Sequence, residues 1–200
     1  MEITFEANGE YTDQVFRRAA YAQERVSHVT FDNCQFIGCI FQEARLENCK
    51  FRDCTFQDCD LRLMHVPGSS FRNTRFEQCK VIGVNWTEGS WAKSGLLDSI
   101  GFSGCDVSHS TFIGLNLKAM ALTRCAAKNA DFAEADLTRA DFTATDFVES
   151  RFLHTNLTEA NFTGAQNYAI DVSLNTVKKA KFSLPEAINL LRCMDIELGE

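Results

Sequence analysis

The stretch Ala130-Asp-Phe-Ala-Glu-Ala-Asp-Leu-Thr-Arg-Ala-Asp-Phe-Thr-Ala-Thr-Asp-Phe-Val-Glu149 repeats one five-residue unit four times: a small residue, Asp, Phe or Leu, then two variable positions. A repeat of this kind is read before anything else, because a missed period misassigns the whole fold. With Phe or Leu taken as the centre, counting by fives outward from Phe132 gives fourteen centres in one register, from Leu97 to Phe162. A second run of fourteen, one residue out of phase, extends from Val26 to Trp91. The register therefore slips between Trp91 and Leu97, and a short insertion is expected near residues 92–96. Two positions before each centre lies a second small or apolar residue, among them Cys34, Cys39, Ala44, Cys49, Cys54, Cys59, Cys79, Cys105, Cys125, Ala130, Ala135 and Ala140.

A period of five fits neither the 3.6 of a helix nor the 2 of a strand. The centre and the residue two before it can share one face of a short extended segment, after which a turn must redirect the chain. If each unit makes one side of a square, four units close a coil, and successive coils stack at roughly the 4.8 Å strand spacing. The expected fold is an all-β solenoid with the centres filling its axis.

This spacing resembles the pentapeptide-repeat family, whose consensus reads Ala-(Asp/Asn)-Leu-x-x. The resemblance implies a right-handed quadrilateral β-helix over roughly residues 26–165. With four centres to a coil, the twenty-eight centres make about seven coils, a rod about 34 Å long.

Composition agrees with such a rod. Seventeen Phe stand against three Tyr and two Trp, and Phe suits a dry axis because it carries no polar group that needs a partner. Eight of the nine Cys fall in the small inward slot, where a free thiol behaves as a small hydrophobe. Cys39/Cys59, Cys59/Cys79 and Cys105/Cys125 are twenty apart and should stack coil on coil, without the Cys-x-x-Cys spacing that zinc favours. The expectation is buried reduced thiols and no metal or cofactor, with Cys193 outside the repeat. The start lacks a basic region followed by an apolar run, so a soluble cytoplasmic protein that does not enter a membrane is expected.

Residues 1–25 read as an N-terminal cap, because Glu24 would occupy an inward slot that a dry core resists. The middle is irregular: Trp86 and Trp91 replace Phe, Gly89 makes room for the larger ring, and Pro67-Gly68 suits a corner. Either local repacking or a loop read by a partner explains those coils. Residues 166–200 form a C-terminal segment. In it Ser183-Leu-Pro-Glu186 reads as a capping box that opens a helix over about 184–194, followed by a short strand at 195–198. Leu184, Ala187, Ile188, Leu190, Leu191, Met194, Ile196 and Leu198 make this segment apolar. It either covers its own end of the solenoid or joins the same element of a second chain in a two-fold homodimer.

The net charge is −7, and −4 of it falls between residues 97 and 165, where nine acids face five bases. Asp131, Glu134, Asp136, Asp141, Asp146, Glu149 and Glu159 form the candidate partner-binding surface. Consecutive units lie on successive sides of the square, so the four Asp should ring a coil rather than form a column. Short Asx side chains that bond turn backbone would also explain their choice. A rod with acidic sides can compete for a protein surface that holds DNA, although B-DNA, at one charge per ~1.7 Å, is far denser. Direct nucleic-acid binding is not expected, because no basic stripe with interleaved aromatics is present. The chain also lacks a P-loop, a nucleophile elbow, His-Glu-x-x-His and a dinucleotide fingerprint, and the four His (28, 65, 109, 154) are scattered, so no enzyme is expected.

The tail Phe182-Ser-Leu-Pro-Glu-Ala, with Leu190-Leu191 and Asp195-Ile-Glu-Leu198, is similar to that of the gyrase-interacting branch of the family, which includes Qnr, MfpA and AlbG. That resemblance implies a homodimer joined through C-terminal helices. It would bind DNA gyrase or topoisomerase IV by mimicking DNA and counter poisons such as quinolones or albicidin. A scaffold or regulatory module with a non-topoisomerase partner is the alternative.

Overall fold

The computed structural model describes residues 5–91 and 100–194. The chain winds as a parallel β-solenoid of about eight turns. Its strands are short: β1 Glu10–Thr12, β2 Val15–Arg17, β3 Arg25–Ser27, β4 Thr30–Asp32, β5 Gln35–Ile37, β6 Arg45–Glu47, β7 Lys50–Arg52 and β8 Thr55–Gln57. They continue with β9 Ser70–Arg72, β10 Thr74–Glu77, β11 Ile100–Ser103, β12 Ala121–Thr123, β13 Asn161–Phe162 and β14 Lys181–Phe182. Helix α1, Ile188–Arg192, follows. Pairing is parallel, and outside the middle of the rod its lag is twenty, as in Glu10↔Thr30, Phe31↔Phe51 and Phe36↔Phe56. The longest sheet runs β2-β5-β8-β10-β11-β12 up one side.

The lag explains the core. Each centre lies directly above the centre twenty residues earlier, so like rings stack: Phe31 on Phe51 at 5.0 Å, Phe36 on Phe56 at 4.5 Å, Phe112 on Phe132 at 5.0 Å. Rings on adjacent sides of the square meet edge-on instead, as Phe31 and Phe36 do at 5.2 Å. Both arrangements suit the aromatic quadrupole. At the corners, two residues after the centre, the chain takes positive φ, as at Asn33 (50°), Asp53 (52°) and Glu149 (58°). Asn and Asp tolerate that region best.

The inward cysteines do more than fill space. After Ala44, Ala135, Ala140 and Ala160 are reached, a turn bond closes from their own N–H to the centre three residues back, for example Ala44 N to Phe41 O at 3.0 Å. Among the described residues no such bond closes at the eight inward Cys. Sulfur takes its place: Cys39 N–H donates to Cys59 Sγ at 3.4 Å and Cys59 N–H to Cys79 Sγ at 3.4 Å. Cys79 N–H donates to Cys105 Sγ and Cys105 N–H to Cys125 Sγ, both at 3.3 Å. Three of these thiols then donate to a carbonyl of the coil before, Cys59 Sγ to Phe36 O and Cys79 Sγ to Phe56 O, twenty-three residues back, and Cys105 Sγ to Phe76 O, twenty-nine back, each at 3.3 Å. Ser69 and Thr145 perform the same double role with oxygen. Burial pushes the Cys34, Cys49 and Cys54 thiols up, Cys54 to about 12, so they stay protonated and able to donate.

Three boundaries differ from the sequence reading. Residues 10–25 are not a separate cap: β1 and β2 pair with β4 and β5, Tyr11 and Phe16 lie in the axis, and the rod gains a turn beyond the expected seven. Glu24 is compatible with the coil because its side chain is exposed. Phe5 closes this end, stacked on Tyr21 at 4.4 Å and edge-on to Phe16 at 5.1 Å. At the other end the coil does not stop at 165: Phe182 stacks on Phe162 at 5.0 Å, one lag later. Ser183 therefore faces the last coil, its Oγ accepting from Gly164 N–H at 2.8 Å, and Glu186 Oε1 accepts from Asn167 N–H at 2.7 Å. With both side chains engaged, no capping box forms; the N-cap is Ala187, without a side-chain bond, and α1 has five residues instead of the expected span 184–194.

In the middle, the lag becomes twenty-six: Thr74 pairs with Ile100 and Lys80 with Asp106. Ser90 N–H still bonds Ser69 O at 2.8 Å, in the old register. The expected insertion at 92–96, and with it Leu97, lies outside the described residues. Trp86 is fully buried, and Trp91 Nε1 donates to its carbonyl at 2.7 Å. Gly89 has the anticipated role, since a Cβ there would come within 3.0 Å of Trp91 Nε1.

Cys59→Ala would remove the acceptor of the buried Cys39 N–H, at a cost of about 1–3 kcal/mol, whereas Cys59→Ser should cost less because Ser69 already fills the same role. Urea unfolding of both variants checks this; an alanine variant as stable as the serine variant would show that only volume matters at the slot.

Candidate interaction surface

The repeat places the four Asp on four different sides of the rod. Asp131 bridges Arg151, Asp136 bridges Asn156, Asp141 bridges Asn161 and Asp146 bridges Gln166, each in its own column. Their side chains are half-buried, and each Oδ1 turns back to accept the N–H two residues on. Asp131 holds Ala133 N at 3.0 Å, Asp136 holds Thr138 N at 3.1 Å, Asp141 holds Thr143 N at 3.1 Å and Asp146 holds Val148 N at 3.2 Å. Thr138 Oγ1 also donates to Asp136, at 2.6 Å. This is the Asx turn, and Asn156 and Asn161 make it equally well with Thr158 and Thr163.

Cations one coil away neutralise most of the collar. Arg151 pairs with Asp131 at 3.0 Å, Lys118 with Asp136 at 3.2 Å, Lys128 with Asp146 at 3.5 Å and Arg139 with Glu159 at 2.8 Å. Among the described residues Asp141, Glu134 and Glu149 have no ion pair; Glu134 and Glu149 project from corners at positive φ and are exposed. Asp141 instead accepts from Asn161 Nδ2 at 3.2 Å. Burial alone would raise the Asp136 carboxyl, but the Thr138 hydroxyl, the Thr138 N–H and Lys118 outweigh it and hold the group below the usual carboxylate range. Asp146 is lowered in the same way, by Asn167, Val148 N–H and Lys128 acting against burial.

The C-terminal end is apolar. Leu184 is 79% exposed, and Ile188, Leu191 and Met194 are exposed as well. Ala187 is partly covered, and Leu190 packs against the core. Ile196 and Leu198, with the expected strand at 195–198, lie outside the described residues. Among the described residues no three His, Cys, Asp or Glu side chains are placed to hold a metal ion, and no helix is long and apolar enough to cross a membrane.

A family model described as a pentapeptide repeat region matches residues 29–99 and 90–162. The chain belongs to the pentapeptide-repeat family. Among solved structures this pentapeptide-repeat chain is similar to QnrB1, described as a plasmid-mediated fluoroquinolone resistance protein. One trypsin-treated QnrB1 variant matches with a TM-score of 0.72 at 16% identity, covering 97% of this chain and 93% of that one. A second trypsin-treated variant gives 0.54 at 18% identity, over 96% of this chain and 98% of that one. Full-length QnrB1 gives 0.52 at 14% identity, over 94% of this chain and 100% of that one. No curated protein matches the chain. At these identities the likeness establishes the fold.

The Asx slot accounts for Asp136 without its charge. Asp136→Asn should leave stability at neutral pH within about 0.5 kcal/mol, while Asp136→Ala loses the turn bonds at about 1 kcal/mol. Equal losses on urea unfolding would refute the turn role. Because the folded carboxyl is lowered, its contribution is present above the unfolded value of about 3.9 and disappears as pH falls through the folded one. Wild type should therefore show a melting temperature that declines below about pH 4, and the Asn variant a smaller decline.

Proposed function

We propose that this chain acts by binding rather than catalysis, as a two-fold dimer that engages DNA gyrase or topoisomerase IV and protects it from poisons such as quinolones or albicidin. The observation that carries the reading is the apolar C-terminal end, with Leu184, Ile188, Leu191 and Met194 uncovered beside an acidic half of the rod. Apolar side chains gathered at one end of a long, otherwise polar rod are best buried by the same end of a second copy, and a two-fold axis there doubles the rod. The overlap with QnrB1 over nearly the full length of both chains supports the same reading. Asp141, Glu134 and Glu149, which carry no cation partner among the described residues, are the carboxylates free to face a basic, DNA-holding surface.

The axial ion pairs of Asp131, Asp136, Asp146 and Glu159 favour a second reading, a scaffold or regulatory module with a non-topoisomerase partner, since paired carboxylates are weak mimics of phosphate. Supercoiling by gyrase, with and without a quinolone or albicidin, separates the two. The purified chain should change supercoiling or rescue it at micromolar concentrations, and the combined change Asp141→Lys with Glu149→Lys should weaken the effect. In the ultracentrifuge the wild type should sediment at twice its 22.5 kDa, and Ile188→Asp with Leu191→Asp as a monomer. A wild-type monomer with no effect on gyrase or topoisomerase IV would sink the proposal.

A further inference from the structure

Glu43, Leu63 and Gly83 occupy the same corner of three successive coils, at φ 55°, 54° and 71°. Glu43 is held by amide groups, Gln23 Nε2 at 3.0 Å and Gln42 Nε2 at 3.3 Å. Leucine is an unusual occupant of a left-handed corner, and Leu63 is half exposed there. Gly83, without a side chain, makes a step into which Leu63 leans, since a Cβ at 83 would meet Leu63 Cδ2 at 2.7 Å. Across this step the next corner also departs from the rule. Where Asn48, Gly68, Gly114 and Glu134 turn through positive φ, a short 3-10 turn, Trp86–Glu88, replaces the left-handed residue. It brings Glu88 Oε2 back over the coil, where it accepts from Val66 N–H at 3.3 Å and lies 3.7 Å from His65 Nδ1.

Between these walls lies an open cleft of about 300 Å³, lined by the apolar Leu63 and Met64 and by Glu43, His65, Asn85 and Glu88. Among the described residues no three acidic, His or Cys groups converge for a metal ion. The cleft is therefore suited to an extended organic cation, whose methylene stem covers the apolar wall while its charged head meets the carboxylates. We infer that this corner cleft binds the arginine or lysine side chain of a partner protein. Its chemistry does not depend on which protein supplies that side chain, so it stands or falls apart from the topoisomerase reading.

The test uses the full-length ¹⁵N-labelled chain near neutral pH, with n-butylguanidinium as the basic side chain and n-butylurea as its neutral isostere. The cation should give saturable amide shifts around Glu43, Leu63, His65 and Gly83, with a Kd on the order of 1 mM, and the urea should give none. Glu43→Gln combined with Glu88→Gln should weaken binding by about fivefold, the most expected for half-exposed pairs. Gly83→Asn keeps both charges and tolerates the left-handed corner but displaces Leu63 from the apolar wall, and it should abolish saturation. Asp58→Asn, at an exposed corner outside the cleft, should change nothing. Equal shifts with the urea, shifts that never saturate, or unchanged binding in folded Gly83→Asn would overturn the inference.

Discussion

The structure depends on one constraint: each coil must place its backbone N–H and C=O groups against those twenty residues away, on all four sides at once. Parallel pairing at that lag fixes the rise and leaves the axis a cross-section that four side chains can fill. Rings on one side stack, and rings on adjacent sides meet edge-on, because no other arrangement fits both the rise and the square. The corners must then turn within one residue, which forces the left-handed conformation on Arg, Gln, Glu and Leu as well as on Asn and Gly. Cooperativity is the gain, since each coil covers its neighbour's core.

A square coil still leaves backbone groups inside without partners wherever the corner does not close its own turn bond. The inward slot settles this locally. Where an inward N–H closes its own turn bond, as at Ala135 and Ala140, nothing more is needed; where it does not, as at Cys39, Cys49, Cys125 and Ala130, a Cys, Ser or Thr one coil on accepts it. Stacked sulfurs are therefore a consequence of turn geometry. Their proximity has no need of a disulfide or metal, and all eight inward thiols are free and buried.

Periodicity made the axis legible in the sequence, because a buried centre every fifth residue permits few exceptions. The ends were harder to read. Glu24 looked incompatible with a coil only if its slot had to be dry; at the first turns the slot can face water, and Tyr11 and Phe16 carry on the stack. Ser183 and Glu186 match a capping box at the level of spacing, but both side chains are claimed by backbone N–H groups of the last coil, which sequence spacing alone does not reveal. The distribution of the collar Asp over four sides follows directly from the five-residue period. Their neutralisation follows from the lag: Asp131 and Arg151 are twenty apart, as are Arg139 and Glu159, and Lys118 and Asp136 are eighteen apart. Reading outward positions at those separations would have shown the axial pairs.

A perfectly regular rod offers a partner the same surface at every coil, so recognition of one site requires a departure from the repeat. The departures gather around the coil whose lag is twenty-six. There Trp86 fills the axis, a 3-10 turn replaces a corner, Leu63 leans into the step at Gly83, and Gly101 and Ala121 leave β11 and β12 bare of long outward side chains. The regular C-terminal coils have few such marks, and their carboxylates are largely engaged in Asx turns and axial ion pairs. On physical grounds the uniform coils therefore serve best as a rigid spacer that sets distance and supplies a diffuse negative field, which acts mainly on the rate of encounter. Selectivity then falls to shape at the irregular middle and to the apolar C-terminal end. These are the two places where a partner could tell one coil from the next.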